Sequence, residues 1–366
     1  MKVTISNTQL KDSLATATKF CVSRTSSLSS LQGGLLRVKD GHIEIIATNL
    51  NDFFYTKIKA TVIEEGEGVC DIRHIVDFLN YLKPGDVTLS STANSILIET
   101  DKTKGTFPVI SSTDYPVLPA FEGEIIEFTE KILSDLPLVL LAASKDQARP
   151  VLTGVNFSCK ANTLYMSATD GFRLSLVSGK HEGEFASFTI SAAILEEVLR
   201  LFGKKQLSLV ISETEKFVKF VNDDTTIFSR LIDGEFPPFA RVIPQEHRTR
   251  IVVNREEFLR NIKLVSVFAR DISSTAILEI KKDGMHLVPR GVERDGTIIF
   301  QDIQKFEGEE TRVAFNFRFI LEFLNAIGTE TVIFESSSPT APGVFKIEGN
   351  DDFIHIVMPI RIEETE

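Results

Sequence analysis

Four apolar residues recur at one spacing three times along the chain: Ile75, Phe78, Leu79 and Leu82; Leu195, Val198, Leu199 and Phe202; Ile320, Phe323, Leu324 and Ile327. Positions i, i+3, i+4 and i+7 share one face of a helix, so each set predicts an amphipathic helix with a buried stripe. Each is followed by a short turn containing Gly or Lys and then a run of strand character: Val87-Thr88-Leu89, Leu207-Ser208-Leu209 and Val332-Ile333-Phe334. The sets are offset by 120 and 125 residues. That period is too long for a solenoid and fits a whole domain. The pattern reads as one module built three times.

The first half of the module repeats as well. Leu10, Leu14 and Ala17 are answered by Phe258, Ile262 and Val265, again at i, i+4 and i+7. The middle copy starts the same way at Leu133 but places Pro137 next. Proline lacks an N–H and clashes with the preceding turn, so that helix is expected to kink or to begin later. Asp40-Gly41 and Asp283-Gly284 mark tight turns into the alternating runs His42 to Thr48 and Met285 to Pro289, with Thr163 to Thr169 in the middle slot. Two helices and several short strands per copy predict an α+β module. Prolines cluster around 116–124 and 237–250, which sets the expected domains at 1–121, 122–246 and 247–366.

Composition narrows the class. With 366 residues and 43% hydrophobic content, three ordinary domains can each bury a core. The longest apolar run, Leu136 to Ala143, is far shorter than a bilayer span. Met1 to Ser6 reads as a strand rather than a signal peptide. Three scattered cysteines, Cys21, Cys70 and Cys159, have no metal-type spacing, which points to a reducing cytoplasm.

Catalytic chemistry is nearly absent from the sequence. There is no nucleophile elbow, no phosphate-cradling loop and no zinc-protease motif. The six histidines lie in separate segments and propose no metal site. Asp170, in Ala168-Thr169-Asp170-Gly171-Phe172-Arg173, is the best candidate for a general base or metal ligand; a local Asp-Gly turn accounts for it more simply.

The net charge of −11 argues against a chain that merely adheres to nucleic acid. Six windows around the predicted helices (8–24, 73–83, 130–149, 192–205, 255–270 and 316–327) together carry +6, leaving −17 for the remainder. Solvated helix faces explain such a contrast. So does a set of repeated helices lined up on one surface to attract phosphates.

Several segments together resemble one family. They are Arg149-Pro150-Val151-Leu152-Thr153-Gly154-Val155, Ala168 to Leu174, Asp233-Gly234-Glu235-Phe236-Pro237 running on to Arg241-Val242-Ile243-Pro244, and Val357-Met358-Pro359-Ile360-Arg361-Ile362. Asp114-Tyr115-Pro116 and Phe315-Asn316 add to them. In this order, on a threefold repeat, they resemble the bacterial DNA polymerase III beta subunit family of sliding clamps over essentially the whole chain. The resemblance implies three tandem clamp domains, helices inside and antiparallel strands outside, with two chains joined head to tail in a ring. It further implies sequence-independent encirclement of duplex DNA, tethering of the replicative polymerase, no catalytic residue, no cofactor and no metal. A separate ATP-dependent loader is implied too, because the chain has no ATP-binding motif of its own. Diffuse phosphate attraction suits sliding, since base-reading contacts would halt it.

Carried over by position, the family's partner-peptide groove implies a deep pocket at Leu152, Thr169, Gly171, Phe172, Arg173, Leu174, Pro237, Val242, Ile356 and Met358. An adjoining shelf is implied at Asn316, Phe319, Pro342, Pro359, Ile360 and Arg361. Replication and repair proteins that carry a clamp-binding motif are the implied occupants. Family members often carry His at the Phe172 position and Tyr at the Phe319 position, and Glu363-Glu364-Thr365-Glu366 extends past the usual end. DNA-facing cations are implied at Arg24, Arg73, Arg149, Arg200, Lys204 and Lys205, the last three offsetting Ala192-Ala193 where members often place a basic pair. The dimer contact is implied at Phe107 in the first domain and at Val267 and Phe268 in the third. Two other functions compete with this one: an enzyme of nucleic-acid metabolism using Asp170, and a scaffold with no nucleic-acid role.

Overall fold

The computed structural model describes residues 1–23, 28–110, 114–203, 206–291 and 297–362. The first module runs β1 (Lys2–Ser6), α1 (Asn7–Ala17), β2 (Gly34–Lys39), β3 (His42–Thr48), β4 (Asp52–Lys59), β5 (Thr61–Glu64), β6 (Gly66–Cys70), α2 (Ile72–Asn80), β7 (Asp86–Ser91), β8 (Ser95–Glu99) and β9 (Lys104–Ile110). The second runs β10 (Glu124–Phe128), α3 (Glu130–Leu140), β11 (Gly154–Lys160), β12 (Thr163–Thr169), β13 (Arg173–Lys180), β14 (Phe185–Ser191), α4 (Ala192–Phe202), β15 (Leu207–Ser212), β16 (Phe217–Asn222) and β17 (Thr225–Arg230). The third runs β18 (Thr249–Asn254), α5 (Arg255–Ala269), β19 (Thr275–Lys281), β20 (Gly284–Pro289), β21 (Ile299–Gln301), β22 (Lys305–Gly308), β23 (Thr311–Asn316), α6 (Phe317–Ala326), β24 (Thr331–Ser336), β25 (Gly343–Ile347) and β26 (Asn350–Val357). One plan is used three times: strand, helix, four or five strands, helix, three strands.

Local chemistry explains the elements. Asp71, Asn254 and Asn316 stand before α2, α5 and α6, and each side chain accepts a backbone N–H from the first turn. The β2–β3 hairpin turns on Asp40 and Gly41 at φ 49° and 77°, which matches the twist of the flanking strands. Ala161 and Asn162, at φ 48° and 58°, make the same turn between β11 and β12. The repeated apolar stripes are core: Leu10, Leu14, Ile75, Leu195, Val198, Phe258, Ile262, Ile320, Phe323 and Leu324 are all buried.

α3 departs from the expectation of a later start. It begins at Glu130, ahead of Pro137, and runs through it to Leu140. An interior proline costs about 3 kcal/mol. Complete burial of Leu133, Leu136 and Val139 offsets that loss.

The chain divides into two compact units, residues 1–130 with 197–231 and residues 131–196 with 232–366, so the second module gives one of its sheets to each. The first unit holds a 13-stranded sheet, ordered β10-β15-β16-β17-β4-β3-β2-β6-β9-β8-β7-β1-β5. The second holds a nine-stranded sheet, β14-β11-β12-β13-β26-β25-β24-β18-β22, and a four-stranded one, β21-β20-β19-β23. All strand pairs that build them are antiparallel, including the two that join modules. β17 runs beside β4, from Thr225 opposite Thr56 to Ser229 opposite Asp52. β26 runs beside β13, from Val357 opposite Arg173 to Phe353 opposite Val177. In both, the last strand of one module extends the fourth strand of the module before it.

No helix among the described residues is long and apolar enough to cross a membrane. Burial pushes the Cys21 thiol up to about 12, and Cys70 and Cys159 are raised by the same cause. All three are buried and unreactive as thiols.

Candidate functional site

A hollow of about 240 Å³ opens in the second unit where β13 meets β26. Its lining includes the aliphatic side chains of Leu152, Leu174, Val242 and Ile356 together with Met358 and Pro237. Behind them Leu174, Val344 and Ile356 form a buried cluster on which Phe239, Ile243 and Ile354 pack. Apolar walls with a few polar groups at the rim suit an anchor side chain of a peptide.

The polar rim is built by the turn 169–173. Thr169 Oγ1 donates to the Arg173 carbonyl at 2.6 Å and accepts from Gly171 N at 3.1 Å. Gly171 sits at φ 93°, a conformation glycine adopts without strain. Asp170 Oδ1 accepts from the backbone N–H groups of Phe172 and Arg173, at 2.9 and 3.0 Å. Its Oδ2 accepts from Arg173 Nε at 3.0 Å. The carboxylate is thus spent on the turn and on one arginine, and the Asp-Gly turn is the correct account of this motif.

Arg173 is the central charge. Its side chain is only 8% exposed, lies 4.6 Å above the Phe319 ring, and donates from Nη1 to Glu322 Oε2 at 2.5 Å. A buried guanidinium held by two carboxylates and an aromatic face is fixed in place. Glu322 is not among the residues the sequence singles out; it lies on the exposed side of a helix whose buried stripe is plain in the sequence. Pro238 and Phe239 also line the hollow without having been expected. They follow Pro237 in a stretch with no periodicity to expose them.

The remaining candidates scatter. Phe172 points outward, 62% exposed, and does not line the hollow; its carbonyl accepts from Met358 N at 2.8 Å. Asn316 caps α6 and Phe319 lies beneath Arg173. Pro342 borders a separate, more polar hollow with His247, Glu335 and Lys346. Pro359 and Ile360 are half-buried, and Ile360 N donates to the Ala314 carbonyl; Arg361 is exposed.

Arg149, expected among the DNA-facing cations, lines the hollow and donates to the Asp170 carbonyl at 3.4 Å. Arg73 is committed to structure, donating to the carbonyls of Gln32, Cys21 and Val22. Arg200 donates to Glu197 and Thr16, and Glu197 also pairs with Lys19. Arg24, Lys204, Lys205 and the Glu363–Glu366 tail lie outside the described residues. Phe107 meets Phe78 edge-on at 5.6 Å, whereas Val267 and Phe268 are 65% and 43% exposed on α5.

Beneath the groove, His355 is fully buried. Its Nδ1 shares a 2.8 Å hydrogen bond with Ser175 Oγ, and its ring stacks flat on Phe323. Burial, then the Arg173 charge, pushes its pKa from 6.5 down to about 3. The neutral imidazole is the folded form, so its contribution is complete above pH 6.5 and is lost as pH falls toward 3. The slope from this group is about 1.4 kcal/mol per pH unit. Urea midpoints at pH 7 and pH 4.5 are expected to differ less in His355→Phe than in the parent; equal differences would remove His355 from the acid response.

Profiles of all three domains of DNA polymerase III beta subunits match the chain: the N-terminal domain at 1–119, the central at 129–238 and the C-terminal at 240–361. The chain belongs to the DNA polymerase III beta subunit family. A beta sliding clamp of Staphylococcus aureus is 25% identical over 370 residues, covering 97% of this chain and 96% of its own. One from Halalkalibacterium halodurans is 28% identical over 259 residues, 68% of each chain. The crystal structure of the Thermotoga maritima beta subunit superposes with a TM-score of 0.90 at 29% identity, over 99% of this chain and 100% of that one. The threefold module is therefore the clamp domain, and the role of this family is polymerase processivity rather than catalysis.

Proposed function

We propose that two copies of this chain close head to tail into a ring that encircles duplex DNA, slides along it and tethers the polymerase. The observation that carries this reading is the rule joining the modules. β17 extends β4, and β26 extends β13. The third module has a fourth strand too, β21, which pairs on one side with β20 and ends its sheet. The first module has a last strand, β9, which among the described residues meets β6 at Val109 and Ile110 alone. Applying the rule once more pairs β21 with β9 of a second copy, and doing so twice closes six modules. Exposed Ile298 and Phe300 at β21, and Leu264, Val267 and Phe268 on α5, are the apolar surface such a joint would cover.

The Arg173 groove is the proposed seat for short apolar peptide segments of polymerase and other replication and repair proteins. Loading by a separate ATP-driven machine, in the cytoplasm, completes the reading. Retention by encirclement needs only weak phosphate contacts, so an acidic exterior is compatible with it. The test is retention on DNA: loaded onto a nicked circle, the protein is expected to remain through gel filtration and to leave once the circle is cut. Equal loss from both forms would mean that it grips rather than encircles.

A further inference from the structure

The threefold repeat supplies an internal comparison that singles out one strand edge. The opening strand of the first module, β1, is flanked by β7 and β5; that of the third, β18, by β24 and β22. The opening strand of the second, β10, pairs with β15 and ends its sheet. Residues 181–184, in the chain position of β5 and β22, form no strand. Among the described residues, Glu124 to Glu127 therefore keep one side of their backbone unpaired. On the outward face, Ile125 lies 64% exposed across from Val210, with Val221 on the next strand 38% exposed.

An open edge of this kind is a template for a further strand. Its charge selects the strand. Glu122, Glu124, Glu127 and Glu130 put four carboxylates into nine residues, and Glu127 is held by the neutral Gln206 and Ser208. Such an edge repels a second copy of itself and any acidic segment, and it attracts a basic one. We propose that Glu124–Glu127 is a docking edge for a basic, extended segment of a partner protein, added as an extra strand with an aliphatic residue against Ile125. It shares no residue with the Arg173 groove.

The probe is a fluorescein-labelled Lys-Val-Lys-Val-Lys-Val peptide titrated onto the full-length protein and followed by anisotropy and hydrogen exchange. Saturable binding is expected, with slowed exchange at the amides of 124–127. A Glu-Val version, and a Lys-Val version N-methylated at alternate residues, should each bind at least tenfold more weakly. The Glu124→Lys/Glu127→Lys variant, altered only at exposed or half-exposed positions, should lose a similar factor. Equal binding by the N-methylated peptide would reduce the edge to a charged surface. Absence of saturation, or protection confined to other segments, would overturn the proposal outright.

Discussion

Val267→Asp combined with Phe268→Asp is expected to convert the protein to monomers and to abolish its retention on circular DNA. Both side chains lie on α5, 65% and 43% exposed, so the folded subunit does not depend on them. In the ring they would be covered by the first module of the second copy, around Phe78 and Phe107. Burying even one unpaired carboxylate there costs roughly 3 kcal/mol or more, which is about a hundredfold in the dimer dissociation constant. Sedimentation should show the loss of dimer with unchanged circular dichroism and melting of the subunit. A double variant that remains dimeric would place the joint elsewhere. A variant that is monomeric yet still held on circles would refute encirclement.

Much of this fold was readable because helices and hairpins declare themselves over short distances. The stripe from Ile320 to Leu324 needs only 3.6-residue periodicity, and Asp40-Gly41 needs only the rule for tight turns. What could not be read depends on residues far apart in the chain. Arg173 meets Glu322 across 149 positions, and Ser175 meets His355 across 180. No local pattern announces either. The three Arg73 contacts to backbone carbonyls have no sequence signal at all. Arg149 beside the turn at Asp170 is likewise a contact over 21 positions with no local pattern to announce it. The open edge of β10 is subtler, because it is defined by a strand that the first and third modules form and the second does not.

Arg173→Ala is expected to have the largest effect on partner binding. The guanidinium joins the 169–173 turn to α6, through Asp170 on one side and Glu322 and Phe319 on the other. Its loss leaves Asp170, 17% exposed, with backbone donors alone. Glu322, 53% exposed, simply returns to water. The stability cost is therefore placed at about 2–4 kcal/mol, toward the lower side of what breaking a buried ion pair costs. Affinity for a labelled peptide from a polymerase tail should fall at least tenfold, because the pocket rim loses the side chain that holds it. Arg173→Lys separates charge from geometry: it keeps the positive charge but lacks the fork that reaches Asp170 and Glu322 together. Calorimetric titration should place it between the parent and the Ala variant. Full affinity in Arg173→Ala, with the destabilisation present, would confine this residue to holding the fold and would move the peptide seat away from the hollow.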